Sequence, residues 1–281
     1  MKEKKIAIVG HGFVGKATES ILKKNVATKV IDPKYGNSIK DLEVFNPDLI
    51  FISVPTPMGK FGQNGEIIEK VINEISEINL KSIIVVKSTV VPSNLKRITD
   101  QINGIVYNPE FLREKHAHKD FVNSNFILLG GRRAEAEEVK SFYLNYTICK
   151  TKNFIFTDHF RASLVKYTIN SFLASKVLFF NCINELFEAE GYSGEDWKEF
   201  IEFISQDKRI GASHMDVPGH DGRRGFGGAC FPKDIDALIK FGKLKETDME
   251  LLENIQKINN KIRSKYKVET KREIEQDIEF N

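Results

Sequence analysis

The segment Lys5-Ile-Ala-Ile-Val-Gly-His-Gly-Phe-Val-Gly15 decides the fold, because an apolar run leads straight into a turn that contains three glycines. The residues after this turn have helical spacing over about 14–24, and a second β-rich run, Thr28-Lys-Val-Ile-Asp32, follows them. The segment therefore predicts a strand–helix–strand unit, which is the usual opening of a doubly wound α/β sheet.

In this context the glycine spacing G-x-G-x-x-G indicates a dinucleotide site. Gly10 would make the tight turn, Gly12 would admit a pyrophosphate to the helix N-terminus, and Gly15 would let the helix pack on the strand. Asp32 would accept a hydrogen bond from a ribose hydroxyl, which favours NAD over NADP, although Lys34 weakens that preference. The alternative is a turn that needs glycine only for its own conformation. The predicted NAD contacts here are Gly10, Gly12, Phe13, Val14, Gly15, Asp32 and Lys34.

Beyond this unit, short apolar runs continue to alternate with helical patterns as far as residue 157. Further strands are predicted at 48–54, 82–87, 105–107 and 126–129, and further helices at 65–79 and 93–102. Runs that are apolar on both faces predict a parallel Rossmann sheet covered by helices on both sides.

After residue 157 the pattern becomes helical. The stretch from Phe160 to Glu190 contains neither Pro nor Gly and predicts one long helix, which Gly191 ends. Shorter helices are predicted at 195–206, at 233–242 and from about 246. The strongly charged chain from Lys261 onward is predicted to be a solvated helix end that frays.

The composition excludes several classes of protein. With 281 residues, 41% of them hydrophobic and 29% charged, the chain is typical of a folded globular protein. A net charge of +3 is small for a protein that coats nucleic acid, and no apolar run is long enough to span a membrane. The N-terminus does not resemble a secretory signal, and three widely separated cysteines form neither a disulfide framework nor a zinc site. We therefore expect a cytoplasmic protein without a metal, organised as an NAD-binding domain at 1–157, an all-α central domain at 158–260 and a charged tail at 261–281.

Polar residues follow the third and fourth predicted strands. Thr56 comes after the first of these strands, and Ser88 and Thr89 come after the second. Since ligands of doubly wound sheets bind beyond the carboxyl ends of strands, these side chains are candidates for binding cofactor or substrate. Each is equally compatible with a helix N-cap.

A second candidate site lies at Gly225-Phe-Gly-Gly-Ala-Cys-Phe-Pro-Lys-Asp234, where a glycine-rich loop meets the start of a helix. The helix N-terminus and the neighbouring Lys233 would favour the thiolate of Cys230, which is the reactive form. Cys149 and Cys182 have no such neighbours and are predicted to be inert packing residues. The alternative for Cys230 is a cysteine that takes no part in chemistry.

Two further pairs of side chains are candidates for catalysis. Lys166 and Asn170 would present an ammonium and an amide on one face of the long helix, where they would stabilise a developing oxyanion. The alternative is a solvated polar stripe. Glu110 and Glu114 lie in a turn-like segment and are candidate general bases, with exposed loop charges as the alternative.

Together these segments resemble the UDP-glucose/GDP-mannose dehydrogenase family, which oxidises the C6 alcohol of a nucleotide sugar to a carboxylate. The resemblance covers roughly residues 5–242. The matching segments, in family order, are 10–15, 54–57, 86–92, 108–114, 166–176, 207–211 and 225–234.

The resemblance implies a covalent mechanism. The alcohol would lose a hydride to NAD and become an aldehyde, to which Cys230 would add as a thiohemiacetal. A second hydride transfer would give a thioester, which water would hydrolyse. The implied catalytic residues are Cys230, Lys166, Asn170, Asp234, Thr89, Glu114 and Glu110.

The resemblance also implies roles in stabilisation and binding. Lys166 and Asn170 would hold the oxyanion, and Thr89, Glu114 and Asp234 would position or activate water. The further NAD contacts would be Val54, Thr56, Thr89, Glu114 and Lys233. The nucleotide sugar, most simply UDP-glucose, would contact Glu110, Phe111, Leu112, Arg113, Glu114, Lys166, Asn170 and Gly227. The family dimerises through the long helix, so a homodimer is implied, in which Arg209 would reach the substrate of the neighbouring subunit.

The chain departs from the family pattern in several places. Family members usually carry a third domain that clamps the nucleotide, and this chain, which ends at Asn281, is expected to be a short form without it. The stretch after Asp32 is shorter than usual, and the family's Asn-Glu on the long helix is here Asn181-Cys182. The loop 211–225 is longer. We expect it to supply phosphate contacts through His214, His220, Arg223 and Arg224.

Other functions stay open at this point. A two-electron hydroxyacid-type dehydrogenase shares the plan of a Rossmann domain and a long helix, would not need Cys230, and would yield one NADH per substrate instead of two. A non-catalytic relative that binds NAD or a partner would have no chemical need for the catalytic residues. A separate polypeptide supplying the third domain is a further alternative.

Overall fold

A computed structural model describes residues 3–59, 62–78 and 80–280 of the chain. Residue 79, where a predicted helix ends, lies outside the described residues, as does Asn281. The strands are β1 (Lys4–Val9), β2 (Val26–Ile31), β3 (Leu49–Ile52), β4 (Met58–Gly59), β5 (Gly62–Gln63), β6 (Ile83–Val86), β7 (Ile105–Tyr107), β8 (Ile127–Gly130) and β9 (Phe154–Thr157). The α-helices are α1 (Phe13–Ser20), α2 (Asp41–Phe45), α3 (Glu66–Glu77), α4 (Pro92–Gln101), α5 (Ala117–Val122), α6 (Arg133–Tyr146), α7 (His159–Ala189), α8 (Gly194–Ser205), α9 (Phe231–Leu244), α10 (Glu250–Arg263) and α11 (Lys271–Ile274).

Seven strands form one sheet in the order β2-β1-β3-β6-β7-β8-β9, and β4 pairs with β5 in a separate ribbon. Strand β1 has neighbours on both sides, with Ile6 in register with Thr28 of β2 and with Leu49 of β3. Among the described strands of this sheet, only the pairing of β7 with β8 is antiparallel. The strand order changes direction between β1 and β3, the position at which doubly wound sheets bind ligands. The predicted fold class, a Rossmann sheet followed by helices, is confirmed.

The sheet is buried on both faces. Successive residues of β1 enter different hydrophobic clusters, Ala7 and Val9 packing on one side and Ile6 and Ile8 on the other, all at most 3% exposed. This burial explains why the strands are continuously apolar instead of alternating.

Helix α6 and strand β9 are absent from the expectations based on sequence. Helix α6 buries Ala136, Val139, Phe142 and Tyr143, whose helical spacing is interrupted by many charged residues. Strand β9 lies at the edge of the sheet beside β8, and Ile155 within it is exposed. Such an edge strand lacks the long apolar run by which the buried strands are recognised.

Contacts divide the chain into two compact units. The first comprises Met1–Thr56 and Gln63–Lys166, and the second comprises Pro57–Gly62 and Tyr167–Asn281. Helix α7 has 31 residues, and the division falls within it. The domain bounds given above from sequence remain predictions.

The charged chain after Lys261 is folded, so the expectation of fraying is wrong. Helix α10 continues to Arg263, which is 1% exposed, and the side chain of Thr270 caps α11. Glu273 and Ile278 are also buried. The charges are tolerated because Arg263 and Glu273 pair with each other in the interior, 2.7 Å apart. Among the described residues, no helix is long and apolar enough to cross a membrane.

Candidate functional site

The glycine-rich turn after β1 belongs to the first unit, and its conformation requires glycine at positions 10 and 15. Gly10 has φ +87°, and a Cβ there would lie 2.5 Å from the carbonyl oxygen of Ser53. A Cβ on Gly15 would collide with the carbonyl oxygen of Gly10. A Cβ on Gly12, the N-cap of α1, would meet no atom within 4 Å. This open space at a helix N-terminus fits a pyrophosphate, while Phe13 and Val14 form the half-buried first turn of the helix.

Asp32 closes this turn from the end of β2. Its carboxylate accepts from the backbone N–H of His11 at 2.7 Å and from that of Lys34 at 3.1 Å. The Nζ of Lys34 donates to the carbonyl oxygen of His11 at 2.7 Å. Burial raises the pKa of Asp32, but the hydrogen bonds from His11 and Lys34 and the charge of Lys34 outweigh it and hold the pKa below its usual value. Asp32 is therefore ionised and can act as the acceptor in the predicted contact to a ribose hydroxyl.

His11, between the first two glycines of the turn, was not among the residues predicted to be functional. Its ring is mostly buried, with Nδ1 2.7 Å from the hydroxyl of Tyr35 and Nε2 2.7 Å from the carboxylate of Glu19. The imidazole thus connects the turn to α1 and to the segment after β2. No local pattern predicts this role, since the residue occupies a variable position of the glycine motif.

The hydroxyls that follow β3 and β6 bind neighbouring backbone. Thr56 Oγ1 donates to the carbonyl oxygen of Thr89 at 2.8 Å, and Ser88 Oγ donates to that of Val54 at 2.7 Å. The N-cap of α4 is Val91, so none of the three hydroxyl residues caps that helix. Thr56 and Ser88 are buried, whereas Thr89 and Val54 are half-buried. These bonds tie together the loops at the carboxyl ends of two adjacent strands.

Lys87, directly after β6, is a buried cation. Its Nζ donates to the carbonyl oxygen of Asn108 at 3.2 Å and to the side-chain oxygen of Asn108 at 3.0 Å, and lies 4.9 Å from the centre of the Phe121 ring. Burial disfavours the ammonium and lowers the pKa of Lys87 to about 8.

This shift predicts a pH-dependent stability. Because the folded-state pKa of Lys87 of about 8 lies below the ordinary 10.5, the unfolded chain binds more protons between these values, and stability rises with pH across that window. The free energy of unfolding of the wild type relative to Lys87→Met is expected to increase by about 2 kcal/mol between pH 8 and pH 10 in urea titrations. Burial raises the pKa of Cys149, which makes the free energy of unfolding fall as the pH rises. Cys149 is present in both proteins, so it does not distinguish them. The same pH dependence in both proteins would contradict the prediction.

Glu110 and Lys166 form a buried ion pair in the first unit. Lys166 Nζ donates to the carbonyl oxygen of Glu110 at 2.6 Å and lies 3.4 Å from its Oε1, and the two side chains are 7% (Glu110) and 4% (Lys166) exposed. The ammonium is 5.2 Å from the centre of the Phe111 ring, and Glu110 Oε2 accepts from the N–H of Leu112 at 2.5 Å. A solvated stripe for Lys166 and an exposed loop charge for Glu110 are therefore both wrong.

Arg113 and Glu114 lie in a more exposed setting. Arg113 pairs with Asp120 at 2.8 Å, and Glu114 begins a short 3₁₀ turn. In the same segment, the ring of Phe111 packs against the ring of Phe126, with 5.2 Å between the ring centres. Of the two glutamates predicted as bases, only Glu110 is buried.

In the second unit the loop residue Cys230 is the N-cap of α9 and is exposed. Its carbonyl oxygen accepts from the N–H of Asp234 at 2.9 Å. The Asp234 carboxylate accepts from Asn170 Nδ2 at 2.6 Å and from Lys233 Nζ at 2.5 Å. Asn170, Lys233 and Asp234 are all buried, so the alternative of a solvated Asn170 is wrong. An accessible thiol at a helix N-terminus thus lies one turn from a buried, fully paired carboxylate.

The other cysteines differ from Cys230 in their surroundings. Cys149 is half-buried, and burial raises the pKa of its thiol. Cys182 is exposed on α7. The prediction of a packing role is therefore wrong for Cys182, because this side of the helix is not covered within the unit.

Arg209 lies on an exposed turn of the second unit. Its guanidinium pairs with Asp207 at 2.5 Å, and its side chain is 89% exposed. Lys176 Nζ anchors this turn by donating to the carbonyl oxygens of Ile210 at 3.0 Å and Gly211 at 2.8 Å. The arginine is therefore presented to the outside from a fixed backbone.

Two arginines expected to bind phosphate are engaged within the protein. Arg224 donates to Asn184 and to Glu188, both at 2.7 Å. Arg223 lies 3.9 Å from Glu273 and over the ring of Tyr266. Both guanidinium groups already have carboxylate partners within the chain, and phosphate binding by this loop stays a prediction.

The residues that hold the thiol loop were not predicted from the sequence. Asn259 and Glu273 bind its backbone, and Arg263 packs against Gly227. The sequence contains one signal for this region, the pattern Thr270-x-x-Glu273, which is a capping box at the start of a helix. Nothing local indicates that this box is buried against a loop more than forty residues earlier in the chain.

Comparison with known proteins agrees with this arrangement. The NAD binding domain of the UDP-glucose/GDP-mannose dehydrogenase family matches residues 16–147, and the central domain of the same family matches residues 161–261. The UDP-glucose 6-dehydrogenase of Rickettsia bellii is 35% identical over 226 residues, which cover 77% of this chain and 50% of that protein. The UDP-glucose 6-dehydrogenase YwqF of Bacillus subtilis is 32% identical over 228 residues, covering 76% and 48%. The chain spans about half the length of the curated relatives it matches.

Solved structures share the fold. A UDP-glucose dehydrogenase from Pyrobaculum islandicum superposes with a TM-score of 0.75 at 24% identity, over 92% of this chain and 68% of that one. A 3-hydroxyisobutyrate dehydrogenase from Mycobacterium tuberculosis superposes with a TM-score of 0.70 at 14% identity, over 99% and 96%. The match to the family's NAD binding domain confirms NAD as the cofactor. With its NAD binding and central domains both matched, the chain belongs to the UDP-glucose/GDP-mannose dehydrogenase family.

Proposed function

We propose that this protein oxidises the C6 alcohol of a UDP-sugar, most simply UDP-glucose, to the uronic acid through a thioester on Cys230. The observation that carries the proposal is the exposed Cys230 at the N-terminus of α9, with the buried Asp234 paired to Asn170 and Lys233 one turn later. Two relatives that are more than 30% identical are UDP-glucose 6-dehydrogenases, which supports the choice of sugar nucleotide.

The glycine-rich turn would hold the cofactor. The N–H groups at the start of α1 would bind the pyrophosphate above Gly12, and Asp32 would accept from the ribose. Thr56, Val54 and Lys233 are proposed to complete the contacts. When bound, NAD supplies the hydride acceptor for each of the two oxidations.

Cys230 would act after the first oxidation. Its sulfur would add to the aldehyde carbon while the carbonyl oxygen takes a proton, which gives a thiohemiacetal. The second oxidation removes a hydride from the same carbon while the hydroxyl group loses its proton, and leaves a thioester. Water then adds to the thioester carbonyl, and the C–S bond breaks to release the acid and the thiol.

Buried polar groups would stabilise the charged stages. We assign oxyanion stabilisation to the ammonium of Lys166 and the amide of Asn170, which occupy positions one turn apart on α7. Asp234, with Thr89 and Glu114, is proposed to orient the water. Glu110 would fix the orientation of Lys166, to which it is already paired. Phe111, Leu112, Arg113 and Gly227 are proposed to line the path of the sugar nucleotide.

A hydroxyacid dehydrogenase remains the alternative, since a 3-hydroxyisobutyrate dehydrogenase shares the fold over nearly the whole of both chains. The two reactions differ in electron count. Purified protein is given NAD with a panel of UDP- and GDP-sugars and, separately, with a panel of 3-hydroxyacids. We expect two NADH per sugar nucleotide oxidised, with NADH measured by absorbance and the acid identified by its mass. One NADH per 3-hydroxyacid and none from any sugar nucleotide would assign the protein to the alternative class. NAD binding without NADH from either panel would indicate a non-catalytic relative.

We also propose that two copies of the chain pair through α7. Phe172, Phe179 and Leu186, spaced seven residues apart along the helix, are each about 60% exposed. Large apolar side chains repeated at this spacing form a stripe that a second copy of the same helix would cover. Arg209 of one copy would then contact the substrate of the other.

Phe179→Asp is expected to convert the dimer to a monomer in sedimentation velocity, because it places a charge at the centre of the stripe. Leu251→Asp is the matched control, since Leu251 is equally apolar and 75% exposed but lies on α10. A wild type that sediments as a monomer, or a Phe179→Asp protein that remains a dimer, would refute pairing through this face.

A further inference from the structure

The loop that carries Cys230 is held by side chains from distant parts of the second unit. Asn259 of α10 pairs with both backbone groups of Phe226, accepting from its N–H at 2.7 Å and donating to its carbonyl oxygen at 2.9 Å. The N–H of Gly225 donates to Asn181 at 2.9 Å. The first half of the loop is therefore fixed by hydrogen bonds to two helices.

The second half of the loop rests on a buried ion pair. Arg263 and Glu273 lie 2.7 Å apart, with side chains 1% and 0% exposed, and Arg263 also pairs with Asp221 at 2.7 Å. Glu273 Oε1 accepts from the N–H of Gly228 at 3.3 Å. A Cβ on Gly227 would overlap both the guanidinium and the carboxylate. The pair is thus packed directly on loop backbone three residues before the thiol.

The segment after α10 fixes Glu273 from the other side. The N–H of Thr270 donates to Glu273 Oε2 at 2.7 Å. Burial raises the pKa of Glu273, but the hydrogen bonds from Thr270 and Gly228 and the charge of Arg263 outweigh it and hold the pKa below its usual value. The carboxylate is therefore ionised and confined to one orientation at neutral pH.

A buried ion pair contributes little net stability, because desolvation offsets the attraction between the charges. In some proteins such a pair instead confers conformational specificity, because only one arrangement of the surrounding groups keeps both charges paired. Here the selected arrangement is that of a glycine-rich loop, which has few conformational restraints of its own.

We propose that Arg263 and Glu273 are positioning residues that fix the Gly225–Gly228 loop and thereby the direction of the Cys230 thiol. The expected effect on catalysis rests on the proposed function, whereas the positioning of the loop does not depend on it. The C-terminal segment 264–280 would then act on the chemistry without contacting the substrate.

Glu273→Gln tests the proposal, because it keeps the shape of the side chain and removes the charge that holds Arg263. We expect kcat for NADH formation to fall about 10–100-fold, with the KM for NAD unchanged, since small misplacements of a reacting group have effects of that size. We also expect iodoacetamide to alkylate Cys230 more slowly, with the half-maximal rate at higher pH, followed by the mass of the Cys230 peptide. Glu275→Gln is the control, because Glu275 lies in the same segment and pairs with Arg272 at the surface.

If circular dichroism shows that Glu273→Gln does not fold, Arg263→Lys is tested in its place. Lysine keeps the positive charge but not the geometry of the paired guanidinium group. The proposal is overturned if a folded variant matches the wild type in both kcat and the alkylation profile, or if Glu275→Gln shows the same losses. Should the wild type form no NADH from any sugar nucleotide, the proposed function fails. The alkylation comparison would still decide whether the ion pair positions the thiol.

Discussion

Cys230→Ala is expected to lower the rate of uronic acid formation by at least ~1000-fold, the scale on which removal of a catalytic nucleophile acts. Without the sulfur, the aldehyde has no covalent partner and the second oxidation has no thiohemiacetal to act on. Binding of NAD is expected to be unchanged, because the turn of Gly10, Gly12 and Gly15 and the carboxylate of Asp32 lie in the first unit.

The measurement is the steady-state release of NADH and acid from UDP-glucose, with NAD affinity measured separately by fluorescence titration. Cys182→Ala is the matched control, because Cys182 is also exposed but lies inside α7 and not at a helix N-terminus. We expect this control to retain wild-type kcat. Acid production by Cys230→Ala at a rate near that of the wild type would exclude a covalent role for the thiol.

Lys166→Met is expected to reduce the free energy of unfolding by about 3–5 kcal/mol, because it leaves the carboxylate of Glu110 buried without its partner. The carbonyl oxygen of Glu110 also loses the donor that lies 2.6 Å from it. If Lys166 stabilises the oxyanion as proposed, activity falls in the folded fraction as well.

Urea unfolding measures the loss of stability, and Lys96→Met is the control. Lys96 forms an ion pair with Asp100 at 2.6 Å on the surface of α4, where both side chains are more than 60% exposed. Removing such a pair is expected to change stability by at most about 1 kcal/mol. The double variant Lys166→Met with Glu110→Gln should recover part of the loss, since the glutamine is uncharged. Equal effects of Lys166→Met and Lys96→Met would show that the Glu110–Lys166 pair is not buried in solution.

Much of the fold follows from local pattern. The turn from β1 into α1, the continuously apolar strands and the long helix α7 were predicted within a few residues of their observed bounds, because each depends on neighbours a few positions away. Several elements without a strong pattern were missed, among them the highly charged α6 and the edge strand β9. Their conformation depends on the sheet against which they pack.

Less of the candidate site could be predicted. The residue types and their order made Cys230, Asp234, Lys166 and Asn170 candidates, but the hydrogen-bond and ion-pair partners of these residues could not be inferred from spacing. Asn170 and Asp234 are separated by 64 positions, and Glu110 and Lys166 by 56. The sequence also favoured a frayed, solvated tail, because a run of charged residues predicts exposure. The sequence does not reveal that these charges are paired with one another inside the fold.

By itself, then, the amino-acid sequence determined the Rossmann turn, the long helix and the placement of one cysteine between a glycine-rich loop and a helix. These features depend on backbone conformation and periodicity, which short segments specify. Only the tertiary structure decided which charges are buried together. It paired Lys166 with Glu110, joined Asn170 and Lys233 to Asp234, and placed Arg263 and Glu273 beneath the thiol loop. The reason is that a charge is costly to bury unless hydrogen bonds or an opposite charge compensate it, and most of the groups that do so here are distant in the sequence and meet only in the fold.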